Sequence, residues 1–411
     1  MPEQNLQGRT NPFNIVVIVA ALGYFVDVYD LLVFGIIKDA SLIAIGITDP
    51  LQIKSQGVYL LNMQLIGLLL GGIVWGILGD KKGRMATLFM TIMLYSLANI
   101  ANGFVQNIGQ YAILRFIAGF GLAGELGVSI TLVSEVMTKE TRAWGSSLVS
   151  FIGITGAAFA FYVAQFGWKE AYWTGGVLGL LLLALRVYVH ESGMFDKMKS
   201  SEVERGNFLM LFTNAKRFYK YLSCILIGVP TWFTIGILCF FAKDFAVAIG
   251  IIGPVVTGKS ILYHYIGASI GSLVFSFISQ KLKSRKKALI IALVSLAVIS
   301  TWYFLSKGAT ASEFYFIIFV LGIAMGYWSI FVTVASEQFG TNIRSTVTTS
   351  VPNFVRASAV LTLICWQYLE PMFGIVKSAA IVGAIVIIIA LLAVFYIDET
   401  YGKDIDYIEE Q

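Results

Sequence analysis

Twelve stretches of about twenty apolar residues, each bounded by polar clusters, constrain this chain more than any other feature of it. A helix needs about twenty apolar residues to cross the hydrocarbon of a bilayer. Backbone in lipid must also satisfy its own hydrogen bonds, and a helix does so internally. The stretches fall near residues 13–38, 55–78, 86–104, 110–134, 144–165 and 170–189, then 217–241, 260–279, 288–306, 313–336, 345–368 and 377–397. With 57% hydrophobic and only 13% charged residues, the composition does not fit a water-facing surface. The expected fold is therefore an all-α polytopic membrane protein with twelve transmembrane helices. The first apolar run is too long for the core of a cleaved signal peptide and reads as a retained span.

An even number of spans puts both termini on one side, and the Lys and Arg residues decide which. With cytoplasmic termini, 20 of the 29 basic residues lie on the inner side, including Lys81, Lys82, Arg84, Lys139 and Arg142, and seven on the outer side. Arg115 and Arg356 stay within spans. The net charge of +5 is thus a matter of orientation rather than of nucleic-acid binding.

The two halves share internal signatures. Ser134–Arg142 reads SEVMTKETR and Ser336–Arg344 reads SEQFGTNIR, each with Glu seven residues before Arg. Gly76–Arg84, GILGDKKGR, matches Ser276–Arg285, SFISQKLKSR, with Asp80 opposite Gln280. The near-equal offsets predict a parallel repeat of six spans with a binding site between the halves at mid-membrane. The expected units are an N-terminal bundle over 1–189, a cytoplasmic linker over 190–216, a C-terminal bundle over 217–397 and a cytoplasmic tail over 398–411.

Ionisable residues inside spans are expensive and normally face protein or a wet cavity. Asp27 and Asp30 share one face of the first span. Arg115 is a plausible ion-pair partner for Asp30, and Glu125 lies about three turns from Arg115 near the same face. Burial raises a carboxylate pKa and a nearby arginine lowers it, so Asp27, Asp30 and Glu125 are the candidate proton carriers. Static helix packing is the alternative for each. Arg356 has no acidic residue within the spans of its own half, so it either bonds the first half or meets an anionic group of a solute. Tyr24, Trp232, Tyr327 and Trp328 are candidate cavity walls, although packed aromatics look the same in sequence. His264, between Tyr263 and Tyr265, reads as an interfacial histidine.

Asp80, Arg84, Glu135, Arg142, Glu337 and Arg344, at the inner helix ends, are candidate gating residues. Asp80 is expected to carry more of the clamp than Gln280, with Glu135 and Arg142 nearby. Gly253–Ser260, GPVVTGKS, fits the phosphate-loop pattern letter for letter. It lacks the strand and the nucleotide domain that such a loop needs, and reads as a turn before the eighth span. Cys224, Cys239 and Cys365 lie in apolar runs without ligand spacing and read as small buried hydrophobes. No metal and no cofactor is expected.

These residues together resemble the major facilitator superfamily over about 385 of 411 residues. The resemblance rests on GILGDKKGRM from Gly76, RFIAGFGLAGE from Arg115 to Glu125, and the paired Glu135/Arg142 and Glu337/Arg344. Met85 stands where a basic residue is usual. DVYDL from Asp27, the GELG ending of the fourth span, HESGMF from His190 to Phe195 and NFVR from Asn353 to Arg356 are similar to bacterial metabolite and aromatic-acid proton symporters. His190, Gly193 and Val355 depart from that pattern.

The resemblance implies a twelve-helix fold of two pseudo-symmetric bundles, alternating access, and proton-coupled uptake of a small organic metabolite, anionic or zwitterionic, such as a carboxylate or an amino acid. It implies a monomer in the bacterial inner membrane, with a small-molecule solute, protons and membrane lipid as partners and no nucleic acid. It implies no enzyme activity. The fifth span, IGITGAAF, lacks the glycine-proline signature of the antiporters, which favours uptake over the alternative of an exporter of a metabolite or siderophore. A non-transporting membrane sensor is a further alternative, for which no appended soluble domain of useful size is present.

Overall fold

The computed structural model describes residues 14–138, 141–186 and 204–409. The His190–Phe195 motif, Lys139 and most of the expected linker lie outside the described residues. The first helices are α1 (Ile15–Ala44), α2 (Pro50–Lys82), α3 (Arg84–Asn102), α4 (Ile108–Val136), α5 (Arg142–Ile154), α6 (Gly156–Val163) and α7 (Trp168–Arg186). They are followed by α8 (Ala215–Phe233), α9 (Ala242–Ile249), α10 (Thr257–Leu282), α11 (Arg285–Phe304), α12 (Ala311–Met325), α13 (Trp328–Glu337) and α14 (Arg344–Tyr396).

Local chemistry sets many of the boundaries. Side-chain oxygens of Asn14, Asp49, Asn107, Asn214 and Ser284 accept from backbone amides in the first turns of α1, α2, α4, α8 and α11. Thr310 and Glu313 form a capping box at the start of α12. Gly83, at φ 107°, makes the turn between α2 and α3, a conformation that costs a side-chain-bearing residue dearly.

Ten helical segments among the described residues are long and apolar enough to cross a membrane. Two departures from the expected twelve have physical causes. Lys169 and Glu170 dilute the apolar content of α7, a helix of 19 residues. The stretches expected at 345–368 and 377–397 run together in α14, whose 53 residues would be about 80 Å long if straight, far more than a bilayer core. Gly374, at φ 77°, breaks it.

Three expected spans are interrupted near their middles. The fifth breaks at Thr155, between α5 and α6, and the tenth at Gly326 and Tyr327, between α12 and α13. The seventh widens after Pro230 into a π-turn over Thr234–Cys239, a feature often found at functional sites.

Within residues 15–186, α2 packs on α4, α3 on α4 and α7, and α1 on α5, α6 and α7. Within residues 215–396, α8 packs on α14, α10 on α12, and α11 on α12 and α14. The two sets meet where α14 crosses α2 and α4, and where α10 crosses α5. At the first crossing backbones nearly touch: a Cβ on Gly127 would lie 2.2 Å from Thr349 Cα, and one on Gly76 2.8 Å from Thr346 Cα.

Candidate functional site

Near the middle of α1 a buried ion pair joins the two sets of helices. Arg356 Nη2 of α14 lies 3.0 Å from Asp27 Oδ2 of α1, across 329 residues of sequence, and both are buried. Of the two roles open to Arg356, pairing with the first half is the one formed. Asn353, one turn earlier, accepts from Arg356 at 3.3 Å and donates to the Ala123 and Thr349 carbonyls. Tyr24 stands beside Asp27, Arg356 and Trp328, and Tyr265 of α10 faces the same charges. Trp328 packs on Phe331 with ring centroids 5.1 Å apart. Tyr327 is tied away by a bond from its hydroxyl to the Ile227 carbonyl at 2.9 Å. Trp232 is buried on α8.

The expected pair between Arg115 and Asp30 is not formed. Arg115 donates to the Tyr172 hydroxyl at 3.3 Å, and its guanidinium carbon lies 5.1 Å from the Phe34 ring centre and 5.5 Å from that of Tyr172. Aromatic faces provide the negative potential that the carboxylate was expected to give. Asp30 is buried, and neither carboxylate oxygen has a hydrogen-bond partner. Glu125 pairs with Arg186 of α7, not with Arg115, and accepts from Ser129 at 3.4 Å. The pair rests against bare backbone at Gly23, where a Cβ would overlap Glu125 Oε1.

The six candidate gating residues gather at one end of the molecule. Asp80 accepts from the amides of Ser345 at 3.0 Å and Thr346 at 2.8 Å and from the Thr346 hydroxyl at 2.7 Å. A carboxylate of α2 thus caps the first turn of α14, where unpaired amides and the helix dipole favour negative charge. Glu135 Oε1 is shared by Arg84 at 2.8 Å and Arg344 at 3.0 Å. Arg142, expected beside Asp80, faces the other half instead, 3.7 Å from Glu337 Oε1. Arg285 approaches Glu337 at 3.4 Å.

Residues after α14 close over this end. The carbonyl of Lys403 accepts from Arg142 at 3.2 Å, and that of Ile405 accepts from Arg344. Glu399 accepts from the Arg285 amide at 2.9 Å and from the Ser284 hydroxyl. Burial alone would raise the Glu399 carboxyl, but the Ser284 hydroxyl and the amides of Tyr401, Arg285 and Lys286 hold it below the ordinary carboxylate value.

Several functional-looking residues escape a reading by sequence. Arg186 stands at the end of an apolar run and counts there as one more inner-side base. Tyr265 carries no charge to flag it, and Asn353 enters only as the first residue of the NFVR motif, with no role of its own. Arg285 could have been found, since it stands opposite Arg84 in the repeat. His264 is fully buried between α10 and α12 and is not interfacial, because its carbonyl packs on Gly322. Gly253–Ser260 forms a turn and the start of α10, held by a bond from the Val256 amide to the Tyr315 hydroxyl. Cys224 and Cys239 are buried, whereas Cys365 is exposed on the outer face of α14. Among the described residues, no group of three or more His, Cys, Asp and Glu side chains is placed to hold a metal.

Residues 18–242 match the family model described as Major Facilitator Superfamily. Over 406 residues the chain is 24% identical to a probable 4-methylmuconolactone transporter of Cupriavidus pinatubonensis, covering 94% of this chain and 91% of that one. It is 30% identical over 195 residues to a benzoate transport protein of Acinetobacter baylyi, covering 45% of this chain and 41% of the relative. A solved structure of the proton:xylose symporter XylE superposes with a TM-score of 0.75 at 17% identity, covering 95% of this chain and 97% of that one. That likeness extends the fold across 95% of the chain.

Proposed function

Because the chain belongs to the major facilitator superfamily, we propose that it takes up a small organic anion, a carboxylate, together with protons, by alternating access between two six-helix bundles. The family and the relatives are transporters, and the chain is an integral membrane transporter and not an enzyme. In this reading residues 1–189 and 217–397 form the two bundles, twelve spans in all, with 190–216 as linker and 398–411 as tail. Both termini and the Asp80 end face the cytoplasm, the membrane is a bacterial inner membrane, and the unit is a monomer.

The observation that carries the reading is the buried Asp27–Arg356 pair. A buried pair that loses one charge leaves the other uncompensated. A proton on Asp27 therefore releases Arg356 to bind an incoming carboxylate, while Tyr24, Trp328 and Tyr265 supply an aromatic surround. The solute and Asp27 compete for one guanidinium, and this competition links proton to solute. Asp80, Arg84, Glu135, Arg142, Glu337 and Arg344 hold the cytoplasmic end closed, and separating them is the opening step. The names of relatives that act on benzoate and 4-methylmuconolactone support a small oxygenated organic solute.

The test is uptake of a panel of radiolabelled carboxylates and neutral metabolites, benzoate included, by proteoliposomes under an inward proton gradient. Accumulation that vanishes when the gradient is collapsed supports the reading. Accumulation indifferent to the gradient removes proton coupling, and outward flux alone favours an exporter.

A further inference from the structure

Arg344 and Arg356 stand twelve positions apart on α14, about 18 Å along the helix, and the residues between them, STVTTSVPNFV, carry no charge. Ser345, Thr349 and Asn353 recur at every fourth position of this stretch and so share one face of the helix, which leads to Arg356. That face lies on glycines of the other set of helices. A Cβ on Gly79 of α2 would lie 2.2 Å from Ser345 Oγ, one on Gly127 of α4 2.5 Å from Thr349 Oγ1, and one on Gly72 of α2 2.8 Å from Asn353 Nδ2.

The neighbouring hydroxyls of α14 all have partners. Thr346 donates to Asp80 at 2.7 Å, Thr348 to the Arg344 carbonyl at 2.8 Å and Ser350 to the Thr346 carbonyl at 2.7 Å. The hydroxyls of Ser345 and Thr349, fully buried against the other set, have none. Pro352 also withholds the amide that would bond the Thr348 carbonyl in a regular helix, and that carbonyl lies 2.6 Å from where a Cβ on Gly127 would stand. Buried hydroxyls almost always find a partner, within a helix commonly the carbonyl one turn back. A packed interface gains nothing from two that do not, since alanine and valine would fill the same space without a polar group to desolvate.

The cover belongs to one set of helices and the stripe to the other. Separation of the two sets at the Asp80 end therefore uncovers Ser345 first, then Thr349, then Asn353. It also frees the Asn353 amide from the Ala123 carbonyl, to which it donates at 2.9 Å in the closed arrangement. What opens is a row of neutral donors running from Arg356 to the charged end. A hydroxyl gives a carboxylate a hydrogen bond without a counter-charge, favourable enough to draw it from a guanidinium and weak enough to let it leave. An apolar wall would strand the solute at Arg356, and a further arginine on the stripe would hold it.

We propose that Ser345, Thr349 and Asn353 form the release route of the solute carboxylate, a second and weaker binding stripe that exists only while the cytoplasmic end is open. Asn353, bonded to Arg356 at 3.3 Å, is the point of transfer. Thr349 and Ser345 then take the carboxylate in turn before it reaches water. The proposal rests on the carboxylate-transport reading above.

The experiment measures counterflow of benzoate, or of whichever carboxylate of the panel is transported, at equal pH in right-side-out and inside-out membrane vesicles carrying the full chain. Solute meets the stripe from the cytoplasmic face alone. For Thr349→Val and Ser345→Ala, KM at that face should rise about tenfold, the scale of one hydrogen bond to a charged group, while KM at the outer face stays unchanged. Thr349→Ser, which keeps the hydroxyl, should match wild type. Equal rises at both faces, no rise at either, or a Thr349→Ser variant that behaves like Thr349→Val overturns the proposal. Should Thr349→Val fail to fold, Thr349→Cys in a Cys365→Ser background decides: a negatively charged thiosulfonate reagent should label it from the cytoplasmic face only, and saturating benzoate should slow the labelling. Labelling from the outer face, no labelling, or labelling indifferent to benzoate overturns the route. Wild-type protein that transports only neutral metabolites overturns the carboxylate reading instead, and labelling of Thr349→Cys slowed by such a metabolite would leave the stripe standing as the release route of a neutral solute.

Discussion

The hydroxyl oxygens of Ser134 and Ser336 lie 3.0 Å apart, and the two residues are 202 positions apart in sequence. That separation is the offset between the two Glu-x6-Arg segments, and each serine opens its segment. Equivalent members of two repeats touch only near the axis that relates them. The contacts around this pair follow the same exchange. Arg84 meets Glu135 in the first half, and Arg285 meets Glu337 in the second.

Asp27→Asn keeps an oxygen acceptor for Arg356 but can no longer exchange a proton. The variant should fold, bind solute and catalyse counterflow, yet fail to accumulate solute above equilibrium under a proton gradient. Transport in proteoliposomes with and without the gradient checks this, and retained accumulation removes Asp27 as the coupling group.

Asp80→Ala deletes the cap on α14. Loss of a helix cap costs about 1 kcal/mol, and here the loss falls on one conformation because the cap crosses between halves. The expected result is faster maleimide labelling of a cysteine placed at Thr346, with a small drop in melting temperature. Labelling at the wild-type rate would place the clamp elsewhere.

Glu125→Gln and Arg186→Gln should each destabilise more than the double variant, since removing one member of a buried pair costs about 3–5 kcal/mol and removing both charges costs far less. Thermal melting of the three proteins in detergent measures this coupling directly. Additive effects would mean that the two side chains do not share their energy.

Glu399 gives a dependence on pH with a definite sign. Its carboxyl is held below the ordinary Glu value of 4.5. A group depressed in the folded state contributes stability above its unfolded pKa and loses it as pH falls through the lower folded value. Melting temperature should therefore decline as pH drops below about 4.5, and Glu399→Gln should flatten that decline. An identical slope in wild type and variant would show that the carboxylate does not stabilise the α11 end.

What could be read in the sequence and what could not differ for physical reasons. Apolar runs report helices because lipid imposes length and composition, so most span ends fall within a few residues of the observed helices. The kinks at Thr155 and at Tyr327 do not alter apolarity and leave no such trace. Repeated motifs identified the charged end, because a six-residue spacing between Glu and Arg survives in one dimension. Partner choice did not. Arg115 found two aromatic rings, and Glu125 found Arg186 from a helix 61 residues away, because the relative rotation of helices is not encoded in spacing along either one.

At the crossing of α14 with α2 and α4, Gly76 and Gly127 let the backbones come into near contact. Such a crossing is smooth at the two glycines, and what holds it in register is the side chains on either side of them, Asn353 on the Ala123 carbonyl and Asp80 on the first turn of α14. Friction in the cycle then concentrates at the buried charged end, where bonds must be exchanged for water. Turnover should respond to agents that change water activity more than to changes in acyl-chain packing of the surrounding lipid.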